Sequence, residues 1–457
     1  MTKLGLVGKW RSGALVWGAL MAVAFGVTGT GVARAAPSGT GPTVGFWAGQ
    51  TTQGCNNPDS SFCPRDMTAY TPAVWDALAA GKGSLYLDLI YTSDFGTPPA
   101  GTSLRTDDLT VIREANTRGV EVKAWLTTPL AHGTFANENN APFLDEAVKS
   151  FAAWKSANGL VIDEVVLDLE LPVGYQSLID ATDPAKLATL RPNVDPAHQC
   201  AALRSYANTI AWAHSHGLII GGSPTPFAID DLYNGDVALA DALDLAPLIP
   251  AGYDHLYVQA YRTYSNTGAD YPAGYMRDAR RYFGAAGEVS LGDTTMGPPY
   301  TSVASLVSDV RLLAALGATA IPIFDFDATV KSYGADGLKQ ILTAGQQPMT
   351  AAEVAAATTP NSMTANNKAF FAALDTAATA ASPNANKWPS GCGPGAGGTS
   401  ANPTNGSAAA ASTQAAQGPS GGLPATGPAP AGPLWALTIL LGATVALRIV
   451  RRRPSSQ

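Results

Sequence analysis

Glu164-Val-Val-Leu-Asp168-Leu-Glu170 is the most informative segment of the chain. Its apolar first part predicts a buried β-strand, and two carboxylates appear at its far end. Side chains alternate between the faces of a strand, so Val166, Asp168 and Glu170 share one face, with the two acids roughly 6.6 Å apart along the backbone. Such acids are costly unless they meet solvent, a partner or a substrate. Strand ends that carry them are where barrel enzymes perform their chemistry.

Short apolar runs alternate with amphipathic runs over about 300 residues of the chain. The strand-like runs are Thr43–Ala48, Ser84–Tyr91, Val120–Thr127, Glu164–Leu171, Leu218–Ser223, His255–Tyr261, Glu288–Thr294 and Ala320–Phe326. The helical patterns between them include Leu109–Thr117, Phe143–Ser156, Gln199–His214, Tyr275–Phe283 and Ser302–Leu316. This alternation predicts an α/β fold, a (β/α)8 TIM-type barrel, with an open doubly wound sheet as the alternative. Neither GxGxxG after the first strand nor GxxxxGK[ST] occurs, which disfavours nucleotide binding.

The amino-terminal end carries an export signal. Lys3, Lys9 and Arg11 precede an apolar run, and Ala33-Arg34-Ala35 offers a small-residue cleavage site. This pattern predicts a secretory signal peptide over residues 1–35. A membrane anchor is the alternative, but the apolar run is short for a membrane span.

The carboxyl-terminal end carries a second signal. Leu423-Pro424-Ala-Thr426-Gly427 precedes an apolar segment and then Arg451-Arg452-Arg453. This order resembles the sorting signal of sortase substrates in Gram-positive bacteria. The resemblance implies that sortase cuts between the Thr and the Gly and joins the Thr to peptidoglycan, while the basic tail stays cytoplasmic. A simple carboxyl-terminal transmembrane anchor is the alternative.

The composition between the two signals divides the chain further. Residues 36–348 hold the barrel pattern, and an Ala-rich extension at 349–381 predicts one or two helices. Residues 382–422 contain Gly, Ala, Ser, Pro, Asn and Thr with almost no apolar bulk, which is typical of a flexible spacer. Residues 423–457 form the sorting signal with its apolar segment and basic tail.

The predicted mature chain is acidic. The removed ends hold eight of the 28 basic residues and none of the 35 acidic ones, which leaves 20 basic side chains and a net charge of −15. An acidic surface disfavours nucleic acid and anionic membranes as ligands, so no nucleic-acid partner is expected.

Four cysteines are present, and secretion permits disulfides. The short, turn-rich loop between Cys55 and Cys63 favours a bond between these two, while Cys200 and Cys392 pair or remain free. The sequence alone leaves all three connectivities open. No CxxC pattern occurs and the five histidines do not cluster, so we expect neither a metal nor a cofactor.

Alternation along the other strands selects further candidate site residues. The candidates for substrate binding are Trp47, Asp88, Trp125, Tyr257, Gln259 and Asp325. Acids, amides and phenols beside flat aromatic faces are typical of a carbohydrate cleft. The alternatives are that the tryptophans pack between barrel and helices, that Asp88 caps a neighbouring loop, and that Asp325 bonds backbone groups at the barrel rim. A structural role for Asp168 and Glu170 is harder to accept because both end one buried strand.

Two segments resemble the family-eighteen glycoside hydrolases, the chitinases and endo-β-N-acetylglucosaminidases. Asp163-x-x-Val166-x-Asp168-x-Glu170 resembles their fourth-strand DxxDxDxE signature. Tyr257-Val-Gln259-Ala-Tyr261 is similar to the sixth-strand segment of the hevamine-like members.

The resemblance implies a role for each matching residue. Glu170 would protonate the leaving oxygen, Asp168 would orient and stabilise the substrate's acetamido group as it attacks the anomeric carbon, and Tyr261 would hydrogen-bond that group. The sequence departs from the family at Val166, which stands for an Asp, and at Glu164, which stands for the usual Gly. The third strand also lacks Ser-x-Gly-Gly, and Phe324 stands for the usual Trp.

Geometry bears separately on the mechanism. Ordinary glycosidases place two carboxyl groups on opposite sides of the scissile bond, which neighbours on one strand cannot do. Either Asp88 or Asp325 supplies the second carboxylate, or the substrate's acetamido group is the nucleophile.

These patterns predict a secreted, wall-anchored glycoside hydrolase that acts on a β-linked, N-acetylated glycan, with sortase and peptidoglycan as partners. One alternative is a non-catalytic carbohydrate-binding or adhesion protein on a hydrolase-like barrel, which Val166 favours. Another is a different barrel hydrolase of the muramidase or galactosaminidase type.

We expect Thr426→Ala to leave the protein unlinked to the cell wall, because the predicted cleavage lies between Thr426 and Gly427. Muramidase-solubilised wall of the native host, probed for the protein, measures the linkage, and the wild-type chain is the control. Wild-type protein missing from that fraction would contradict the sorting assignment.

Overall fold

The structure is a computed structural model that describes residues 41–49, 62–97, 100, 104–172, 196–233, 236–249, 251–264, 266–292, 294 and 299–381. The predicted signal peptide, the spacer and the sorting residues Leu423, Pro424, Thr426 and Gly427 lie outside these residues. So do Cys55 and Cys392. No helix of the described part is both long and apolar enough to cross a membrane.

Eight parallel strands make one sheet. They are β1 Thr43–Ala48, β2 Ser84–Ile90, β3 Glu121–Thr127, β4 Glu164–Leu169, β5 Ile219–Pro224, β6 His255–Gln259, β7 Gly287–Ser290 and β8 Ala320–Phe324. Their spatial order is β7-β6-β5-β4-β3-β2-β1-β8. Beyond β7, the Leu291 amide donates to Pro322 O and the Phe324 amide donates to Leu291 O, each at 2.8 Å. The sheet therefore closes on itself.

Helices alternate with the strands. The described α-helices are α1 Pro72–Ala80, α2 Asp107–Arg118, α3 Ala141–Ala157, α4 Pro196–Ser215, α5 Pro226–Asp230, α6 Ala238–Ala242, α7 Asp270–Phe283, α8 Val303–Ala315, α9 Phe326–Ala344, α10 Ala351–Ala357 and α11 Ser362–Ala381. The (β/α)8 prediction is confirmed, and the doubly wound alternative is wrong because the sheet closes. The sequence patterns did not predict four of these helices, α1, α5, α6 and α9.

Glycine ends several of these helices. Gly119 follows α2 with φ 69°, and its amide donates to the carbonyls of Ala115 and Asn116. Gly217 follows the α4 region with φ 73°. A residue without Cβ adopts this left-handed conformation at little cost, so each glycine turns the chain from a helix into the next strand.

The barrel interior is filled by side chains in layers. Trp47, Tyr86, Val166 and Tyr257 form a buried cluster at its centre. The Trp47 and Tyr86 ring centroids are 4.6 Å apart. A separate, larger apolar core lies between the strands and the surrounding helices, and it contains residues of the opposite parity such as Phe46. The barrel is therefore a packed core, and only its ends are available for chemistry.

A buried ion pair closes the amino-terminal end of the barrel. Lys123 Nζ lies 2.9 Å from Glu164 Oε2, and Tyr257 OH donates to Glu164 Oε1 at 2.9 Å. His255 Nδ1 lies 3.1 Å from the same Oε1. These bonds compensate for the burial of Glu164, and the neighbouring Lys123 charge helps to hold the pKa of its carboxyl at about 2.

Helices α10 and α11 follow the barrel. Phe371 and Leu374 of α11 are buried in an apolar cluster with residues of α5 and α6. Lys368 Nζ lies 3.1 Å from Asp278 Oδ2 of α7. The Ala-rich extension is therefore helical and packs on the helices beside the barrel.

Both described cysteines, Cys63 and Cys200, are in disulfide bonds. The pairing of Cys63 with Cys55 stays a prediction because Cys55 lies outside the described residues.

We expect Gly45→Ala to lower the free energy of unfolding by about 1–3 kcal/mol. A Cβ at Gly45 would lie 2.3 Å from Ser84 Oγ and 2.5 Å from Tyr86 Cε2, inside the packed barrel. The matched control is Gly49→Ala, whose Cβ would meet nothing closer than Trp125 Cζ3 at 3.8 Å. Urea unfolding measures both variants, and equal stabilities would contradict the packing argument.

Candidate active site

Asp168 lies at the carboxyl-terminal mouth of the barrel, near the end of β4. It is only 3% exposed. Trp125 Nε1 donates to its Oδ2 at 3.2 Å, and Gln259 Nε2 donates to its Oδ1 at 2.9 Å. Glu170 stands two residues further along the chain and is partly buried, and both Asp168 and Gln259 act on the pKa of its carboxyl. The structure therefore brings these four predicted site residues together.

Gln259 is held in place by the neighbouring strand. Its Nε2 also lies within 3.1 Å of Ser223 O and 3.3 Å of Ser223 Oγ, both on β5. These contacts aim the amide nitrogen at the carboxylate of Asp168. Ser223 escaped the sequence interpretation because a serine inside an apolar strand gives no distinctive signal.

The carboxyl groups of Asp168 and Glu170 at the barrel mouth both have raised pKa values. Burial is the largest cause that raises the pKa of Asp168 well above its usual range, and the charge of Glu170 adds to it. Burial likewise raises the pKa of Glu170 to about 7, although hydrogen bonds with Gln259 and Asp168 act to lower it. The pair therefore keeps a proton near neutral pH, which is the state a general acid requires.

Asp88 is the third carboxyl of the mouth. Thr127 Oγ1 donates to its Oδ1 at 2.7 Å, and its charge also acts to raise the pKa of Asp168. Buried Arg65 supports this strand end, because its Nη2 donates to Asp88 O at 3.0 Å and its Nη1 donates to Ala48 O at 2.9 Å. Arg65 and Thr127 were missed because neither belongs to a recognisable motif.

Aromatic rings border the carboxyls. Trp125 and Phe324 are partly exposed, and their ring centroids lie 6.2 Å apart in a T-shaped contact. Tyr261 stacks on Phe324 at 5.8 Å with an interplanar angle of 17°. Its hydroxyl is 3.5 Å from Ser290 Oγ. Partly exposed rings beside the acids provide apolar surface of the kind that sugar rings contact.

Three predicted binding residues have other places. Tyr257 is fully buried and bonded to Glu164 near the amino-terminal end, so it does not line the mouth. Trp47 is 2% exposed inside the barrel and donates from Nε1 to Ser290 Oγ at 2.8 Å. Asp325 caps α9 by accepting from Ala328 N at 2.6 Å, which is the rim contact that the sequence left open.

A cleft of about 420 Å³ opens beside the mouth. It is lined by residues of the β3–α3 connection, the start of α3 and the segment after β4, which are Ala131, His132, Gly133, Asn137, Asn139, Asn140, Pro142, Phe143 and Pro172. The backbone joins it to the site, because the Ala136 amide donates to Asp168 O at 2.7 Å.

No protein-family model and no curated protein matches the chain. Among solved structures, it is similar to the PgaB (BpsB) glycoside hydrolase domain from Bordetella bronchiseptica at 12% identity and a TM-score of 0.40, over 66% of this chain and 99% of that chain. It is also similar to a GH18 chitinase from Pseudoalteromonas aurantia at 15% identity and a TM-score of 0.39, over 66% and 99% of the two chains. A third similar structure is the spore cortex-lytic enzyme SleL from Bacillus megaterium QM B1551. The identity is 11% and the TM-score 0.39, over 68% of this chain and 75% of that chain. At these values the likenesses carry no argument about activity.

We expect Glu170→Gln to flatten the pH dependence of stability. A carboxyl whose pKa is raised by folding stabilises the fold at low pH, and this contribution is lost as the pH rises from the unfolded pKa through about 7. Between pH 5 and pH 8 the wild type should therefore lose about 1–3 kcal/mol more than the variant.

Urea unfolding at the two pH values measures this difference. The matched control is Glu121→Gln, which removes an exposed carboxylate at the start of β3 and should keep the wild-type slope. Parallel pH slopes for the wild type and Glu170→Gln would show that Glu170 titrates alike in the folded and unfolded chains.

Proposed function

We propose that the protein is a secreted, wall-anchored glycoside hydrolase that cleaves a β-linked, N-acetylated glycan. The observation that carries the proposal is that Asp168 and Glu170 stand two residues apart at the barrel mouth, with both carboxyl pKa values raised. A carboxylic acid that stays protonated near pH 7 is what protonation of a glycosidic oxygen needs.

Glu170 is the proposed general acid. It is the more exposed member of the pair, and its pKa of about 7 lets it hold a proton and release it within the working pH range. Asp168 is more deeply buried and is fixed by Trp125 and Gln259, so its position suits orienting a substrate group.

The nucleophile in this proposal is the substrate's acetamido oxygen. Asp168 and Glu170 stand two residues apart at the end of one strand, so they cannot stand on opposite sides of one glycosidic bond. Attack by the acetamido oxygen on the anomeric carbon forms a cyclic oxazolinium and breaks the glycosidic bond as Glu170 gives its proton to the leaving oxygen. Water then opens the ring and returns a proton to Glu170. Asp88 is the competing candidate, as a conventional nucleophile or base.

The cellular location is proposed from the sequence. The export signal, the spacer and the sorting motif with its basic tail stand in the order that a wall-linked protein requires. Sortase would join Thr426 to peptidoglycan, and residues 382–422 would hold the barrel away from the wall.

We expect Glu170→Gln to lower hydrolysis of a susceptible glycan by ~10²–10⁴-fold, because the nearly isosteric amide has no proton to transfer. A panel of chitin, peptidoglycan, galactosaminogalactan and N-glycan substrates identifies the glycan for the full chain, and circular dichroism checks the fold. Glu121→Gln serves as the matched control on an exposed carboxylate. Unchanged turnover in Glu170→Gln would remove Glu170 from the acid role, and glycan binding without wild-type turnover would support the non-catalytic alternative.

The same assay separates the two nucleophiles. Acetamido attack requires that Asp168→Asn loses most activity, that Asp88→Asn and Asp325→Asn lose much less, and that a thiazoline analogue of N-acetylglucosamine inhibits. An inactive Asp88→Asn or Asp325→Asn variant that azide rescues would instead identify that carboxylate as the nucleophile or base.

A further inference from the structure

Three metal-ligating side chains meet beside the barrel mouth. Glu138 lies in the β3–α3 connection, His198 in the first turn of α4, and Asp244 just after α6. One donor atom of each residue lies within 4.8 Å of the donor atoms of the other two. Because these residues are far apart in the sequence, no motif indicated the cluster.

The burial of this cluster favours a bound cation. The Glu138 side chain is fully buried, and Asp244 is 4% exposed. His198 Nδ1 lies 3.2 Å from Glu138 Oε2. Burying two carboxylates costs free energy, and a divalent cation bound between them and the imidazole would offset part of that cost.

The donor set selects among metals. One imidazole nitrogen and two carboxylate oxygens suit zinc, which takes nitrogen and oxygen ligands at about 2.0–2.2 Å. Tetrahedral ligands at that radius are about 3.3 Å apart. His198 Nδ1 and Glu138 Oε2 already stand at this separation, and the other donor distances, which are within 4.8 Å, need to shorten by about 1.5 Å at most. Calcium prefers six to eight oxygen ligands and is a poorer fit to a site that contains an imidazole.

The neighbouring cleft gives this site access to solvent. Asn137 and Asn139 line the cleft and flank Glu138 in the chain. Asn139 Nδ2 also donates to Asp244 Oδ2 at 2.8 Å, which orients that carboxylate. The cleft therefore offers a path for an ion and room for water as the remaining ligand.

A second cluster of acids fits a metal less well. Asp231, Asp236 and Asp375 also approach one another, but all three are carboxylates. Asp231 already accepts from the amides of Leu239 and Ala240, at 3.1 and 3.0 Å. These bonds give Asp231 a structural role in the α6 turn.

We propose that Glu138, His198 and Asp244 bind a zinc ion. The ion would fasten the first turn of α4 to the β3–α3 connection, where the Glu138 amide already donates to Asp244 O at 2.9 Å. Two residues before Glu138, the Ala136 amide donates to Asp168 O at 2.7 Å. The ion therefore supports the backbone that carries the carboxyl pair, as a structural centre that stands apart from the chemistry.

Zinc binding by the untagged full chain tests this proposal. After treatment with a chelator and return of Zn²⁺, the wild type should retain one equivalent through gel filtration, measured by elemental analysis. Calorimetric titration should give an affinity that falls roughly tenfold or more in His198→Gln and in Asp244→Asn. Substitution by Co²⁺ should give a visible d–d spectrum that His198→Gln abolishes.

The matched control is His214→Gln. His214 lies at the other end of α4 and pairs with Asp254 at 2.8 Å, and the described residues place no third ligand of the kind found at His198 beside it. This variant should bind zinc as the wild type does. Equal zinc content in the wild type and in a folded His198→Gln variant would overturn the proposal, as would binding of Ca²⁺ with no uptake of Zn²⁺. Because the readout is metal content, it is independent of any glycan hydrolysis.

Discussion

A parallel barrel closes only if the side chains that point inward fill its interior, and β4 meets this constraint in three layers. Glu164 pairs with Lys123 at the amino-terminal end, Val166 packs in the central cluster, and Asp168 reaches the mouth. Removing one partner of a buried ion pair leaves an uncompensated charge at a cost of about 3–5 kcal/mol. The ion pair at the amino-terminal end of the barrel therefore holds β4, the strand that carries the candidate site, in place.

The two ends of β4 treat the same chemical group in opposite ways. Lys123 and His255 help to hold the pKa of Glu164 at about 2, so its carboxylate is a permanent structural anion. Among its described neighbours, Asp168 meets the charges of Glu170 and Asp88 and no cation, so burial and repulsion raise its pKa. One strand therefore carries a charged carboxylate at its amino-terminal end and a carboxyl pair with raised pKa values at the open end, and raised carboxyl pKa values are typical of acid catalysis.

The alternation of side chains along each strand predicted which of them point into the barrel. It did not predict how far each one lies from the carboxyl-terminal mouth. Asp168, Glu170 and Gln259 were placed together correctly because all three stand near the carboxyl-terminal ends of their strands. Tyr257 has the same parity as Gln259 and yet binds Glu164 at the far end. Depth depends on the stagger between strands, which a single sequence does not display. Arg65 was missed for a related reason, since its partners lie on two strand ends and a helix that meet only in the folded chain.

The central cluster also explains why a valine occupies position 166. Its side chain is fully buried against Trp47, Tyr86 and Tyr257, where a carboxylate would lose its hydration in apolar surroundings. An aspartate at this position would need a hydrogen-bond partner. The aromatic rings around it offer none, and the hydroxyl of Tyr257 already donates to Glu164 at the amino-terminal end of the barrel. The aromatic residues that fill the barrel centre therefore require an apolar side chain at position 166, which explains why no carboxylate is found there. Asp168 is therefore oriented by the indole of Trp125 and the amide of Gln259, which donate to it from neighbouring strands, and not by a second acid at position 166 of its own strand.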